Sequence, residues 1–187
     1  MKSFKAEAWV LPQPVSIIGT YDEDGTPNAM NAAWVTQCDY DKIIITLGSH
    51  KTTENLSRCG EFTIAFATES TVIEADYVGV ESGRKVHDKI AKTGWKATKA
   101  ENVNAPVFDV FPMTMECKVL TKLNEEEGGY MLIAEIINIL VDENYLAADG
   151  RPDVEKMKII SFDPVHNGYI VLGKTVGKAF HDGLKLR

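Results

Sequence analysis

The sequence lacks the features that mark several large classes of protein. It has no run approaching the roughly 18 apolar residues that a membrane-spanning helix requires, and its opening MKSFKAEAW lacks the apolar core of a signal peptide. Basic residues number 20 against 27 acidic ones, for a net charge of −7, which argues against a general nucleic-acid or anionic-membrane surface. We therefore expect a cytoplasmic protein whose partners include neither nucleic acid nor membrane.

Cysteine is scarce and shows no metal-binding or disulfide pattern. Cys38, Cys59 and Cys117 are odd in number and far apart, without a CxxC pair and without a histidine at finger or ribbon spacing. We predict reduced thiols and no metal site. The remaining chemistry-bearing residues show no nucleophile and base at a recognisable spacing, so no catalytic side chain is assigned, and His87, His166 and His181 are predicted to be surface or loop residues.

One formal motif is rejected on its interior. The stretch G168YIVLGKT175 satisfies the GxxxxGK[ST] phosphate-loop pattern, but a phosphate loop must curl its N–H groups around an anion and lead into a long helix. The residues YIVL are typical of a buried strand instead, and few residues follow. A nucleoside-triphosphate site at this position is therefore not expected.

The hydrophobic pattern predicts more strand than helix over a single domain, residues 1–187. Most neighbouring strands are joined by short turns, including D22EDG25 and N124EEEGG129, which favours an antiparallel β-barrel with helices inserted between strands. The predicted strands are 14–21, 26–37, 42–47, 61–67, 112–123, 130–142, 158–164 and 169–173. The predicted helices are 52–58 and 71–78, with one or two helical turns within 85–92.

The segment T26PNAMNAAW34 is unusual for a strand, because alanine and asparagine replace the expected β-branched residues. Small side chains allow another flat or polar body to approach the backbone, and amides supply donors and acceptors without charge. A bound ligand is one explanation of this composition.

The segment S49HKTTEN55 has the composition of an anion-binding helix start. A helix beginning near Thr52 presents unpaired N–H groups and the positive end of its dipole, Lys51 adds a charge, and Ser49, Thr52 and Thr53 add hydroxyl donors. The alternative is an ordinary surface helix that a threonine caps while Lys51 faces water. Either way, Lys51 and Thr52 are expected at an exposed helix start.

Together these segments resemble the flavin reductase-like family, whose FMN-binding split barrel includes the flavoredoxins. P12QPVSIIGTYDEDGTPNAMNAAW34 is similar to the family's opening hairpin, H50KTTENLSRCGEFTIAF66 to its phosphate-side helix and following strand, and Y169IVLGKTVGKAFHDG183 to the end of a flavoredoxin. The resemblance covers nearly the whole chain and implies an antiparallel split β-barrel that is mainly β with inserted helices.

The resemblance also implies a non-covalently bound FMN near a homodimer interface. Along the flavin and its ribityl chain it places Asn28, Met30, Asn31, Ala32, Ala33 and Trp34. Around the phosphate it places Ser49, His50, Lys51, Thr52 and Thr53. The basic segment S82GRKVHDK89 implies that Lys85 and Lys89 approach the flavin. Asn31 stands where relatives often carry threonine or serine. A tryptophan such as Trp34 is more often a core or interface aromatic than a partner that stacks on a ring.

The resemblance implies electron transfer through FMN but does not fix the donor. NADH or NADPH would make the protein a flavin reductase-like enzyme, whereas a protein donor would make it a flavoredoxin-like electron carrier. A third class is a split-barrel binding module without catalytic activity. The sequence has no GxGxxG fingerprint for a nicotinamide dinucleotide, and the electron acceptor, a small molecule or a protein, is not indicated.

Overall fold

The structure is a computed structural model that describes residues 1–123 and 130–187. Its strands are β1 (Gln13–Pro14), β2 (Ser16–Tyr21), β3 (Pro27–Ala32), β4 (Val35–Gln37), β5 (Lys42–Leu47), β6 (Glu61–Phe66), β7 (Ala97–Lys99), β8 (Pro106–Phe108), β9 (Met113–Leu123), β10 (Tyr130–Val141), β11 (Ile160–Asp163) and β12 (Gly168–Val171). The α-helices are α1 (Lys51–Cys59), α2 (Val72–Val80) and α3 (Val154–Met157). The predicted turn 124–129 lies outside the described residues.

The largest sheet has the strand order β3-β2-β6-β9-β10-β5-β4, and all its pairs are antiparallel. A flat sheet of this size would separate β3 from β4 by roughly 29 Å. The three peptide links between Ala32 and Val35 span at most about 11 Å, so the sheet must curl until its two edges approach one another. The expected antiparallel split barrel with inserted helices is therefore confirmed.

One predicted strand is two strands in the structure. Residues 26–37 were expected to form one returning strand, but the chain leaves β3 after Ala32 and enters β4 at Val35, at the other edge of the sheet. The Trp34 carbonyl accepts a hydrogen bond from the Thr46 N–H of β5 at 3.0 Å. The pairing with β5 therefore begins at Trp34, before β4 itself. The run of small residues predicts strand conformation. It does not predict that the first half pairs with β2 and the second half with β5.

The central strands are buried on both faces of the sheet. Ile18 and Ile64 point into the barrel core with Leu132, whereas Ile17 points outward into a second core beneath α2. Trp95 and Phe108 belong to that outer core. Because both faces are covered, residues 16–20 of β2 are all buried rather than alternately buried and exposed.

Helix α1 closes one end of the barrel, and its predicted position is confirmed. It ends at Gly60, whose φ of 70° is left-handed and whose N–H donates to the Leu56 carbonyl at 2.9 Å, the usual glycine stop of a helix. Leu56 is fully buried in the barrel core. On the same helix, the Asn55 amide donates to Thr20 at 3.0 Å and to Asp22 at 2.7 Å, which fixes the helix to the β2–β3 hairpin.

The other predicted elements are confirmed or shortened. The predicted helix 71–78 is α2, but 85–92 contains only a 3-10 turn at Lys89–Lys92. Prediction missed the short pair β7 and β8. After β12 the chain continues without an α-helix in the described residues that follow, consistent with rejecting a phosphate loop. Cys38, Cys59 and Cys117 are free thiols as expected, and burial raises the pKa of Cys117 to about 12.

Gly19 provides a test of the close packing between β2 and β6. A Cβ at this position would lie 2.5 Å from the Thr63 hydroxyl and 3.0 Å from the Pro106 carbonyl oxygen, and both belong to buried neighbours. We expect Gly19→Ala to lower the free energy of unfolding by about 1–3 kcal/mol, as overpacking in a core does. Gly168→Ala is the control, because nothing lies within 4 Å of its Cβ. Equal midpoints of denaturant unfolding for the two variants would contradict this packing.

Candidate functional site

A cavity of about 250 Å³ lies between the start of α1, the edge strand β3 and the end of α2. Two of its walls are the segments that sequence analysis assigned to a ligand. Its lining residues are Asn28, Met30, His50, Lys51, Thr52, Val78, Gly79, Val80, Glu81, Ser82, Gly83 and Lys89. The structure thus brings Asn28 and Met30 together with His50, Lys51, Thr52 and Lys89, which are separated in sequence.

Asn28 carries a buried polar atom that is available to a ligand. Its amide nitrogen donates to the Thr52 hydroxyl at 2.9 Å and to the Thr20 hydroxyl at 3.4 Å. Its amide oxygen is buried and has no hydrogen-bond partner among the residues that the structure describes. A buried acceptor without a donor costs about 1–3 kcal/mol, so a ligand N–H or O–H at this place would remove a penalty.

The start of α1 differs from the expectations in two respects. The N-cap residue is His50 rather than a threonine. The Thr53 hydroxyl accepts from the His50 N–H at 2.8 Å and donates to the His50 carbonyl at 2.6 Å, as the N3 residue of a capping box does. Lys51 is partly exposed, but Thr52 is only 1% exposed, and its predicted exposure is wrong. Thr52 is buried because it accepts the amide proton of Asn28 beneath the helix start.

Arg84 is a residue of this region that sequence reasoning missed. Its guanidinium donates to the Ser49 hydroxyl at 3.0 Å, to the Ser49 carbonyl at 3.2 Å and to the Glu54 carboxylate at 2.7 Å. The same carboxylate lies 3.7 Å from the Lys51 ammonium. Arg84 therefore sits beside the helix start, whereas the predicted Lys85 is exposed and does not line the cavity. The basic run around S82GRK85 was the available signal, but it did not distinguish the two neighbours.

Lys89 is a buried cation rather than a solvated one. It is 2% exposed, and its ammonium donates to the carbonyl oxygens of Val78 and Glu81, each at 2.7 Å. These carbonyls belong to the end of α2, where the helix dipole favours a positive charge. Burial lowers the pKa of Lys89 to about 8, although the charges of Glu81 and Asp22 oppose the shift. Lys89 thus fixes the chain segment that forms one wall of the cavity.

Lys51 and Lys89 line the cavity, and Arg84 lies beside it. Two carboxylates accompany these cations, since Glu81 also lines the cavity and Glu54 pairs with Arg84. The pKa of His50 lies below its ordinary value, first because of partial burial and then because of the charges of Arg84 and Lys89. The free N–H groups of a helix start and a nearby ammonium are the usual elements of a phosphate site. This end of the cavity is therefore suited to an anionic group.

Two glycines give the cavity its room. A Cβ on Gly83 would lie 2.8 Å from the Asn28 amide oxygen and 3.3 Å from Cγ of Lys51. A Cβ on Gly79 would lie 3.0 Å from Cβ of Asn31. Any side chain at these positions would crowd the ligand-facing residues, so both glycines serve close approach rather than unusual backbone angles.

A second cleft, of about 220 Å³, borders the first and shares Gly79 and Val80 with it. Its other lining residues are Asn31, Ala33, Asp76, Phe162 and Tyr169. The remaining predicted residues lie elsewhere. Ser49 and Thr53 line neither cleft, Ala32 packs into the barrel core, and Trp34 is 66% exposed, so it is not a core aromatic in this chain. Together the clefts fall within the roughly 300–1,000 Å³ typical of small-molecule sites.

Other kinds of site receive no support in the described part of the chain. No group of three or more histidine, cysteine, aspartate or glutamate side chains there could hold a metal ion. No helix in residues 1–123 and 130–187 is long and apolar enough to cross a membrane. His87, His166 and His181 are exposed as predicted, each near a neighbouring aspartate.

Comparison with known proteins agrees with this geometry. A family model described as the flavin reductase like domain matches residues 9–153. The flavoredoxin of Desulfovibrio vulgaris (Miyazaki F) is 35% identical, with a TM-score of 0.92 over 98% of this chain and 99% of its own. The flavoredoxin of Methanosarcina acetivorans is 27% identical, with a TM-score of 0.89 over 100% of both chains.

A more distant structure shares the fold alone. The FMN-binding protein of Thermus thermophilus, solved with bound 1-cyclohex-2-enone, is 17% identical, with a TM-score of 0.76 over 95% of this chain and 100% of its own. The family match and the first flavoredoxin are sufficient to classify the protein: the chain belongs to the flavin reductase-like family.

The buried state of Lys89 predicts a pH-dependent contribution to stability. Its pKa is about 8 in the fold against an ordinary value of 10.5, so the unfolded chain binds more protons between these values. The contribution of Lys89 to the free energy of unfolding therefore rises as the pH is raised through this window. We expect the stability difference between the wild type and Lys89→Met, measured by denaturant unfolding without ligand, to shift in favour of the wild type from pH 7.5 to about 10.

Lys92→Met is the control for that experiment. Lys92 is exposed on the same 3-10 turn, so its variant should keep a constant difference from the wild type across the range. A constant difference for Lys89→Met as well would show that Lys89 has an ordinary pKa.

Proposed function

We propose that the protein is an FMN-binding oxidoreductase of the flavin reductase and flavoredoxin type. It would pass electrons from NADH, NADPH or a protein donor through bound FMN to an acceptor. The observation that carries the proposal is the cavity that combines an electropositive helix start with the unpartnered amide oxygen of Asn28, in a chain of the flavin reductase-like family.

The residues at the start of α1 fit the phosphate end of FMN. Lys51 and the N–H groups at the start of α1 would hold the phosphate, with Ser49, His50, Thr52 and Thr53 around it. The hydroxyls of Thr52 and Thr53 already have partners within the chain, so their contribution would be mainly the position of the backbone. Arg84 would add a second cation beside Ser49.

The remaining predicted residues fit the uncharged part of FMN. Asn28 and Met30 line the first cleft, and Asn31 and Ala33 line the second, so the ribityl chain and ring would follow the edge strand β3. An edge strand also offers backbone donors and acceptors to a neighbouring molecule. Ala32 would contact the flavin through its backbone. Trp34 would contact it from an exposed surface. Lys89 would hold the wall, and Lys85 would approach only from outside.

The protein need not supply the redox chemistry itself. When bound, a flavin accepts a hydride at N5 and releases its electrons singly or in pairs. The chain's own residues would bind the phosphate, orient the ring and leave one face open to successive reactants. This division of labour accounts for a site without an assigned acid, base or nucleophile.

Two other functions remain as alternatives. The similarity to the flavoredoxin of Desulfovibrio vulgaris favours an electron carrier that receives its electrons from a protein and has no nicotinamide activity. A non-catalytic binding module would retain the barrel without flavin. An absorbance spectrum of the purified protein tests the flavin, and anaerobic titration with NADH and then NADPH separates enzyme from carrier. Protein that takes up no added FMN would overturn the proposal.

We further propose one domain over residues 1–187, in the cytoplasm, assembled as a homodimer. Leu120 of β9 and Ile137 and Ile139 of β10 are exposed apolar side chains, and Trp34 is also exposed. Burying such a surface against a second copy would be favourable. We expect light scattering to give twice the chain mass at micromolar concentration with FMN bound, and a monomeric mass would exclude the dimer.

The phosphate assignment is tested by Lys51→Met. Removing this charge should weaken FMN binding by about 1.5–3 kcal/mol, the usual value of a hydrogen bond to a charged group, which is roughly tenfold or more in affinity. Riboflavin lacks the phosphate, so its weaker binding should not change. Fluorescence titration of the apoprotein with each flavin measures both quantities.

The exposed Lys92→Met serves as the charge-matched control and should bind both flavins as the wild type does. The alternative of an ordinary capped helix predicts that Lys51→Met leaves FMN affinity unchanged. Equal affinity of the wild type for FMN and riboflavin would also remove the phosphate site.

A further inference from the structure

The second cleft, one side of which is assigned to the flavin, has an opposite wall that the binding of FMN does not explain. Asn31 and Ala33, on one side, are the residues assigned to the flavin. The other side consists of Asp76 from α2, Phe162 from β11 and Tyr169 from β12. These three residues come from parts of the chain that sequence analysis did not connect with the site.

The polar groups of this wall are fixed by one another. The Tyr169 hydroxyl donates to Oδ1 of Asp76 at 2.6 Å, and this bond joins the small sheet of β1, β11 and β12 to α2. The pKa of Tyr169 is raised to about 12, by burial first and by Asp76 second, so the phenol keeps its proton at ordinary pH. The Asn31 amide, which donates to the Ala75 carbonyl at 3.2 Å, faces the same cleft.

This arrangement has the properties of a subsite for a small ring. The Phe162 ring provides an apolar surface, and its centroid lies 6.2 Å from that of Tyr169. The carboxylate of Asp76 has a second oxygen that can accept a proton from a ligand amide or hydroxyl. The same charge disfavours an anion, because two like charges a few ångströms apart repel one another.

We propose that the side of this cleft formed by Asp76, Phe162 and Tyr169, opposite the flavin ring on Asn31 and Ala33, binds the small-molecule reaction partner of the flavin. Asp76 selects a neutral or cationic ring with an N–H or O–H group over an anionic one. The proposal rests on the FMN-binding function proposed above. It makes Asp76 a specificity-determining residue and Tyr169 the residue that positions its carboxylate.

The test uses two probes of nearly the same shape, benzamide and benzoate, which differ in charge at pH 7.5. Their binding to the oxidised, FMN-loaded protein is measured by ligand-observed NMR, so no turnover is required. We expect the wild type to bind benzamide about five- to tenfold more tightly than benzoate, which is the size of one charge repulsion in a partly hydrated cleft. In Asp76→Asn the preference should fall to about twofold or less.

Asp76→Asn is a conservative change for this purpose. An asparagine keeps an oxygen that accepts the Tyr169 proton, and Asp76 is exposed, so the fold should be retained. A melting curve and an FMN titration verify this for the variant. Glu143→Gln is the matched control, because it removes one negative charge from an exposed position outside both clefts. It should preserve the preference of the wild type.

The outcomes separate the two proposals. Wild-type protein that takes up no FMN contradicts the proposed function itself. FMN-loaded protein that binds neither probe, or that keeps its preference in Asp76→Asn, overturns the cleft assignment and leaves FMN binding intact. A preference lost equally in Glu143→Gln would show that the net charge of the protein, rather than Asp76, discriminates between the probes, and would also overturn the assignment.

Discussion

The short crossing between β3 and β4 is the constraint on which this molecule depends. Only Ala33 and Trp34 separate the strands at opposite edges of the seven-stranded sheet, so the sheet cannot open without breaking one of the two edges. The crossing also leaves β3 as an edge strand whose polar side chains lie beside α1 and α2. Closing the barrel and exposing a ligand-facing edge are thus consequences of the same two residues.

A buried polar network fixes α1 to that edge. Thr20 accepts from both Asn28 and Asn55, and Thr52 accepts from Asn28 at the start of the helix. Amides buried with partners cost little, whereas each lost partner would leave an unpaired group. The network therefore sets the position of the helix start relative to β3. It leaves the Asn28 oxygen as a buried acceptor without a partner among the described residues, in a residue that lines the cavity.

The sequence predicts regular elements of this fold well and their partners less well. The strand 42–47 is an isoleucine-rich run that ends before Gly48, and the helix around 52–58 ends before Gly60; the structure has both. The division of 26–37 escaped prediction because the partner of a strand depends on residues far away in sequence. β7 and β8 were missed because three-residue strands carry too short a pattern.

The candidate site shows the same division between local and distant information. Lys51 and Asn28 were found from local composition, since helix starts and small amide-rich strands have recognisable chemistry. Arg84 was missed in favour of Lys85, because a basic run does not show which of two neighbouring side chains bonds to Ser49 and Glu54 beside the helix start. The burial of Thr52 and the pairing of Asp76 with Tyr169 depend on contacts across the fold, which no local pattern contains.

Under the proposed function, the distribution of charge would orient the cofactor within the two clefts. Lys51 and Lys89 line the first cleft with Arg84 beside it, and Asp76 lines the second. A cofactor with one anionic end would be oriented by this difference, because the opposite orientation would place its phosphate beside a carboxylate. Orientation would then be fixed by groups remote from the reacting ring. Residues around the second cleft could therefore vary with the reaction partner without loss of the cofactor.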